Sequence, residues 1–128
     1  MAKRSRKARD EQGRWEIQGG GLKWGDSPLD NLQREVLEEC GVSPQRIEFL
    51  GYRSIKRKLK DGTPTHWISL DFAALVDRAK VRLNEPEMFD NMGWFTLERQ
   101  PKPVHSQHKI FIAKYEDRLR KLLTTRVG

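Results

Sequence analysis

Glu35, Glu38 and Glu39 crowd into one short stretch beside Arg34, directly after the segment Gly19-Gly20-Gly21-Leu22-Lys23-Trp24-Gly25-Asp26-Ser27-Pro28. In a helix, residues three and four apart are neighbours, so the three carboxylates fall on one arc and repel each other. Burial would raise their pKa values further. A divalent cation such as Mg²⁺ or Mn²⁺ relieves that repulsion and takes hard oxygen ligands, leaving positions open for phosphate oxygens and water. Glycines at 19 to 21 let the backbone approach such an ion, and the Gly19 carbonyl offers a further ligand. The arrangement suits divalent metal ions bridging a diphosphate.

Local signals place these acids on a helix over residues 28–40. Ser27 suits the N-cap, Pro28 the first helical position, and Asp30 completes a capping-box-like pattern. Gly41 can adopt the left-handed conformation that ends a helix. Leu29, Leu32, Val36 and Cys40 form one apolar stripe, expected to dock on a sheet. Arg34, one turn before Glu38, can brace it. A glutamate-rich helical face is ordinarily just solvated, and a glycine triplet ordinarily just a turn. The joint spacing is what sets this segment apart.

Gly20, Asp26, Arg34, Glu35, Val36, Glu38, Glu39, Gly41 and Val42 occupy the pattern Gly, five residues, acid, seven residues, Arg-Glu, aliphatic, any, Glu-Glu, any, Gly, aliphatic. In this the chain resembles the Nudix (MutT-like) hydrolases. Two departures stand out: Asp26 where the family has Glu, one methylene shorter, and Gln18 where many members carry Pro. The resemblance runs from about residue 2 to 123, although only the box is highly specific. It implies an α/β fold, an α/β/α sandwich around a mixed sheet, as a single domain over 1–128. It implies Mg²⁺- or Mn²⁺-dependent hydrolysis of a nucleoside diphosphate linked to another group, with metal held by Glu35, Glu38, Glu39 and Gly19. Arg34 would orient the glutamates, and Glu35 or a late-loop acid, here Glu87, would serve as base. Gly20, Asp26 and Gly41 would be structural members of the box. A non-catalytic Nudix-fold module binding nucleotide or RNA is the alternative. The intact acid set argues against that alternative. Neither the proline nor the tyrosine expected downstream of the box in ADP-ribose or dinucleoside-polyphosphate members is in place.

The resemblance also implies that the first strand of the pair usually preceding Trp15-Glu16-Ile17 is missing, residues 2–20 reading as a basic strand end, a loop and that strand, so the domain reads as N-terminally shortened. An exposed sheet edge, and a homodimer formed through it, would follow. The remaining elements are a strand over residues 47–59, a turn at Asp61-Gly62, a partner strand over 65–76, a loop over 77–93, a short strand over 93–97 and a helix over 106–123.

Composition narrows the partners. Charged residues make up 34% of the 128 residues and the formal net charge is +7, which favours anionic ligands: nucleotides first, nucleic acid as a less favoured possibility. No apolar run is long enough to span a bilayer and no signal peptide is visible, so a cytoplasmic, reducing setting is expected. The single cysteine, Cys40, excludes an internal disulfide. Two basic clusters occur. Lys56, Arg57, Lys58 and Lys60 read as a charged strand tip, or as phosphate contacts. In the terminal group, Arg4 or Arg6 would hold a phosphate if near a substrate cleft, although a mobile basic terminus accounts for them better. Trp24, in the glycine loop, can stack on a nucleobase. His105 and His108 stand three apart, but a surface or capping role suits them better than a metal.

Overall fold

The computed structural model describes residues 1–125. Seven elements follow in order: β1 (Ala2–Arg4), β2 (Trp15–Glu16), α1 (Pro28–Cys40), β3 (Arg46–Lys58), β4 (Pro64–Leu75), β5 (Phe89–Met92) and α2 (His108–Thr125). α1 has the expected bounds, and its caps explain why. Ser27 is extended (φ −71°, ψ 154°), and its hydroxyl accepts from the Asp30 N–H at 3.1 Å. Gly41 is left-handed (φ 73°) and returns its N–H to the Leu37 carbonyl at 2.9 Å.

β3 and β4 pair antiparallel from Arg46↔Leu75 to Lys58↔Pro64. The register shifts between Phe49 and Gly51, and this bulge lets Leu50 point inward and become buried. Gly51 sits at φ 155°, and a Cβ there would lie 3.1 Å from the Tyr115 hydroxyl, so glycine also makes room for α2. Leu50, Phe111 and Tyr115 form the buried cluster, with Ala73, Ile112, Leu119 and Leu122 packed around it. Inside this layer Asp71 receives two of the Arg53 nitrogens, Nε (2.7 Å) and Nη2 (3.0 Å), the Ser69 hydroxyl (2.7 Å) and the Tyr115 hydroxyl (2.8 Å). Burial alone would raise the Asp71 pKa, but these bonds hold it below its ordinary value.

The second sheet has order β2-β1-β5, all antiparallel. An isolated parallel bridge from Trp15 to Val104 fastens β2 to the chain leading into α2. The mixed α/β content is as expected, but the strands form two separate sheets. Among the described residues β3 and β4 pair only with each other, so the long hairpin has two edges without a ladder partner.

Two further expectations are corrected. The late strand is Phe89–Met92, earlier than 93–97, because β1 pairs with these residues and Phe89 is buried there. Trp94 and Phe95 look strand-like by side-chain type but pack sideways, under the Arg78 guanidinium (5.2 Å) and edge-on to Trp15 (5.1 Å). The apolar stripe of α1 is only partly covered: Leu29 is 47% exposed, and the buried helix residues are Asn31 and Glu39. The helix faces the protein with its polar row.

Candidate active site

That polar row recurs every four residues, Asn31, Glu35 and Glu39, so it forms one side of α1. The loop before the helix folds back along it. The Lys23 N–H donates to Asn31 Oδ1 at 3.2 Å, and the Cys40 thiol donates to Gln18 Oε1 at 3.4 Å. Gly20 lies directly against Glu35: a Cβ at residue 20 would come 2.3 Å from Glu35 Cδ. Only glycine leaves the carboxylate in that place.

The other end of the helix is held by a distant loop. Arg82 N–H reaches the Cys40 carbonyl (3.0 Å), Asn84 N–H the Glu39 carbonyl (3.2 Å) and Asn84 Nδ2 the Glu38 carbonyl (2.9 Å). These bonds satisfy carbonyls that the helix end would leave orphaned. They also deliver the next residue, Glu85, to the acids. Glu39 is 5% exposed; burial first, then the charges of Glu35, Glu85, Glu16 and Glu38, push it up to about 9. Glu35 is raised by burial and by Glu38, while Arg34 pulls it back. The carboxylates therefore come from β2, from α1 and from the loop before β5.

Among the described residues no donor or cation bonds the Glu39 carboxylate, and no three His, Cys, Asp or Glu side chains are already closed around one point. The donor set nevertheless fits a hard divalent cation. It consists of carboxylate oxygens, one of them deeply buried and without a cation partner, beside Gly20, where a side chain would clash with Glu35. Arg34 braces the arrangement, paired with Asp26, hydrogen-bonded to Asn31 and 3.7 Å from Glu38. The shorter Asp26 side chain thus still reaches the arginine. Burial raises the Cys40 thiol, in keeping with packing over reactivity.

A family model of the NUDIX domain matches residues 1–115. The chain belongs to the NUDIX domain family. An RNA pyrophosphohydrolase of Thioalkalivibrio sulfidiphilus is 29% identical, over 70% of this chain and 60% of that protein. An RNA pyrophosphohydrolase of Acinetobacter baylyi is 27% identical, over 62% of this chain and 57% of that one. The chain thus spans about three fifths of the length of these relatives. Among solved structures, a MutT NUDIX hydrolase from Burkholderia pseudomallei superimposes with a TM-score of 0.72 at 26% identity, over 88% of this chain and 84% of that one. The NUDIX domain of Shewanella oneidensis NrtR, solved with ADP-ribose, gives 0.69 at 18% identity over 92% of this chain and 75% of that one, a likeness of fold.

Within this NUDIX domain the residues singled out from sequence are distributed unevenly. Glu35, Glu38, Glu39, Arg34, Asp26 and Gly20 are brought together, and Gly41 ends the helix. Gly19 is exposed in the same loop. Glu87 is exposed, and its backbone carbonyl takes the Ser5 hydroxyl at 2.6 Å; the late-loop acid whose charge acts on Glu35 and Glu39 is Glu85. Sequence reasoning chose Glu87, two residues further along. It missed Glu16, whose signal was its place on the strand entering the glycine loop. The Arg4 guanidinium is occupied by Glu16 and Asp10, both at 2.9 Å. Arg6 is exposed, and Trp24 is fully exposed at the loop tip. The two histidines do not share an ion. His105 Nε2 lies 2.6 Å from Glu11 Oε2, and His108 Nε2 lies 2.6 Å from Gln100 Oε1.

Proposed function

We propose that this NUDIX domain hydrolyses a phosphoanhydride in a nucleoside polyphosphate, releasing a nucleoside monophosphate or its 5′-linked equivalent. The observation that supports it most is the buried Glu39 amid Glu35, Glu38, Glu16 and Glu85, with no cation bonded to its own carboxylate among the described residues. Glu35, Glu38 and Glu39, with the Gly19 carbonyl, would hold Mg²⁺ or Mn²⁺. When bound, such an ion polarises phosphoryl oxygens and acidifies water. Arg34, fixed by Asp26 and Asn31, keeps the glutamates aimed. Glu85, next to the Asn84 that bonds the end of α1, would take the proton as water attacks phosphorus and the anhydride P–O bond breaks. The names of the curated relatives support a substrate at the 5′ end of RNA; a free nucleoside triphosphate has the same reacting group.

The test is incubation with a panel of nucleoside triphosphates, nucleotide sugars and 5′-triphosphorylated oligoribonucleotides in Mg²⁺ or Mn²⁺, with products separated and identified. Monophosphate release that stops on chelation is expected. Tight nucleotide binding with no product from any substrate would replace this reading with that of a binding module.

A further inference from the structure

A cleft of about 990 Å³ opens between the β3–β4 hairpin, the segment around residues 9–17 and the start of α2. It contains none of Glu35, Glu38 and Glu39, but it reaches their cluster through Glu16, which lines it and whose charge bears on Glu39. Its floor is apolar and aromatic. Ile55 and Trp67 face each other across the hairpin register, and Trp67 is left 59% exposed. Its rim is basic. Two of the three lining arginines are already committed: Arg57 to Glu11 (3.1 Å) and Arg53 to Asp71 (2.7 Å). Among the described residues Arg9, Lys58 and Lys60 have no side-chain hydrogen bond or ion pair, and all three line the cleft.

We infer that this cleft seats a single-stranded nucleic-acid chain, with Arg9, Lys58 and Lys60 taking successive backbone phosphates and Trp67 stacking on a base. The inference rests on the proposed activity only for the polarity of binding, with the 5′ end directed past Glu16 to the acids. Free cations lining a groove beside an exposed aromatic floor match how single strands are held: charge tracks the backbone, and flat π faces accept any base. A lone mononucleotide would leave these cations unused, because its phosphates would lie at the acid end. An acidic peptide would satisfy the cations and leave Trp67 unused.

The test measures binding apart from turnover. Fluorescence anisotropy follows a labelled 5′-monophosphorylated oligoribonucleotide in Mg²⁺, against wild type, the Lys58→Ala/Lys60→Ala double variant and Trp67→Ala. Wild-type affinity is expected to fall steeply with salt. The double variant should weaken binding about tenfold or more and flatten the log–log salt slope by about 1.4. Trp67→Ala should weaken it about tenfold with the slope unchanged. ATP affinity, read by competition, should change less than about twofold in all variants. Variants that bind the strand like wild type, a parallel loss of ATP affinity, or equal displacement by poly-aspartate at matched charge would each overturn the inference. Absence of turnover with this binding pattern intact would sink the hydrolase reading and leave the cleft assignment standing.

Discussion

Gly20 and Glu39 carry the sharpest consequences at the scale of single residues. A methyl group at residue 20 would sit 2.3 Å from Glu35 Cδ, a distance no packing tolerates. Gly20→Ala should therefore displace the Glu35 carboxylate and lower kcat about 100-fold, with the unfolding midpoint changed by no more than a few degrees. Steady-state kinetics beside a thermal melt checks this, and normal turnover would show that Glu35 is not needed where it lies. Glu39 behaves oppositely towards stability. Burial and four neighbouring carboxylates hold it up to about 9, so its metal-free form is the neutral acid, which glutamine imitates. Glu39→Gln should leave the metal-free protein as stable or more stable, and abolish turnover. A clear drop in the metal-free melting temperature would contradict that account. These acids were legible in sequence because their spacing along one helix is fixed by its geometry. Glu85 and Glu16 were not, since only the contacts of Asn84 and the direction of β2 bring them in.

At the scale of elements, the joints between segments decide more than the segments. Glu11, at φ 48°, gathers three of them: His105 before α2 (2.6 Å), Arg57 on β3 (3.1 Å) and the Ser106 backbone N–H (2.8 Å). The neutral Nε2–H tautomer of His105 serves both its partners, donating to Glu11 while Nδ1 accepts from the Gln107 N–H at 3.1 Å. Burial accordingly lowers the His105 pKa from its ordinary 6.5, outweighing the pull of Glu11 and Glu16, and burial lowers His108 in the same way. A histidine depressed on folding binds its proton more readily unfolded, so its contribution is full above pH 6.5 and is lost as pH falls through the folded pKa. Glu11 is itself held below 4.5, against its burial, by Ser106, His105 and Arg57, and adds a loss at lower pH. Thermal melts should fall steadily from pH 7 to pH 5, and His105→Gln should shrink that fall. An unchanged slope in the variant would remove the joint from the explanation. Sequence favoured a surface or capping role for these histidines; His108 is instead buried, and the Glu11 partner of His105 lies far away along the chain and left no local trace. The short strands failed for a related reason. Phe89–Met92 is a strand because β1 lies beside it, while the more strand-like Trp94 and Phe95 have no backbone partner of that kind.

The molecule as a whole has two separate sheets, and the candidate acids gather on α1 beside β2 and the loop before β5. The box, both helices and the hairpin were readable because each rests on caps, turns or alternation within a short window. The split into β2-β1-β5 and β3-β4 was not, because it depends on which strand edges meet. Among the described residues no helix is long and apolar enough to cross a membrane. The two unpaired hairpin edges keep open the expected pairing of two copies, although Lys56 and Lys58 at the tip would oppose it by charge. The acids that meet at Glu39 come from separate parts of the chain, so an ion bound there would tie β2, α1 and the loop before β5 together. Such a ligand stabilises only the folded state. At about 100 times its Kd it contributes about 2.7 kcal/mol, which for a domain of this size is a rise of roughly 10 °C in Tm. Differential scanning calorimetry in chelator and then in saturating Mn²⁺ or Mg²⁺ should show that rise in wild type. Glu39→Gln, already relieved of the repulsion, should show almost none. Equal shifts in both proteins would mean that the ion binds elsewhere, and no shift in wild type with nucleotide also present would remove the metal from the proposed chemistry.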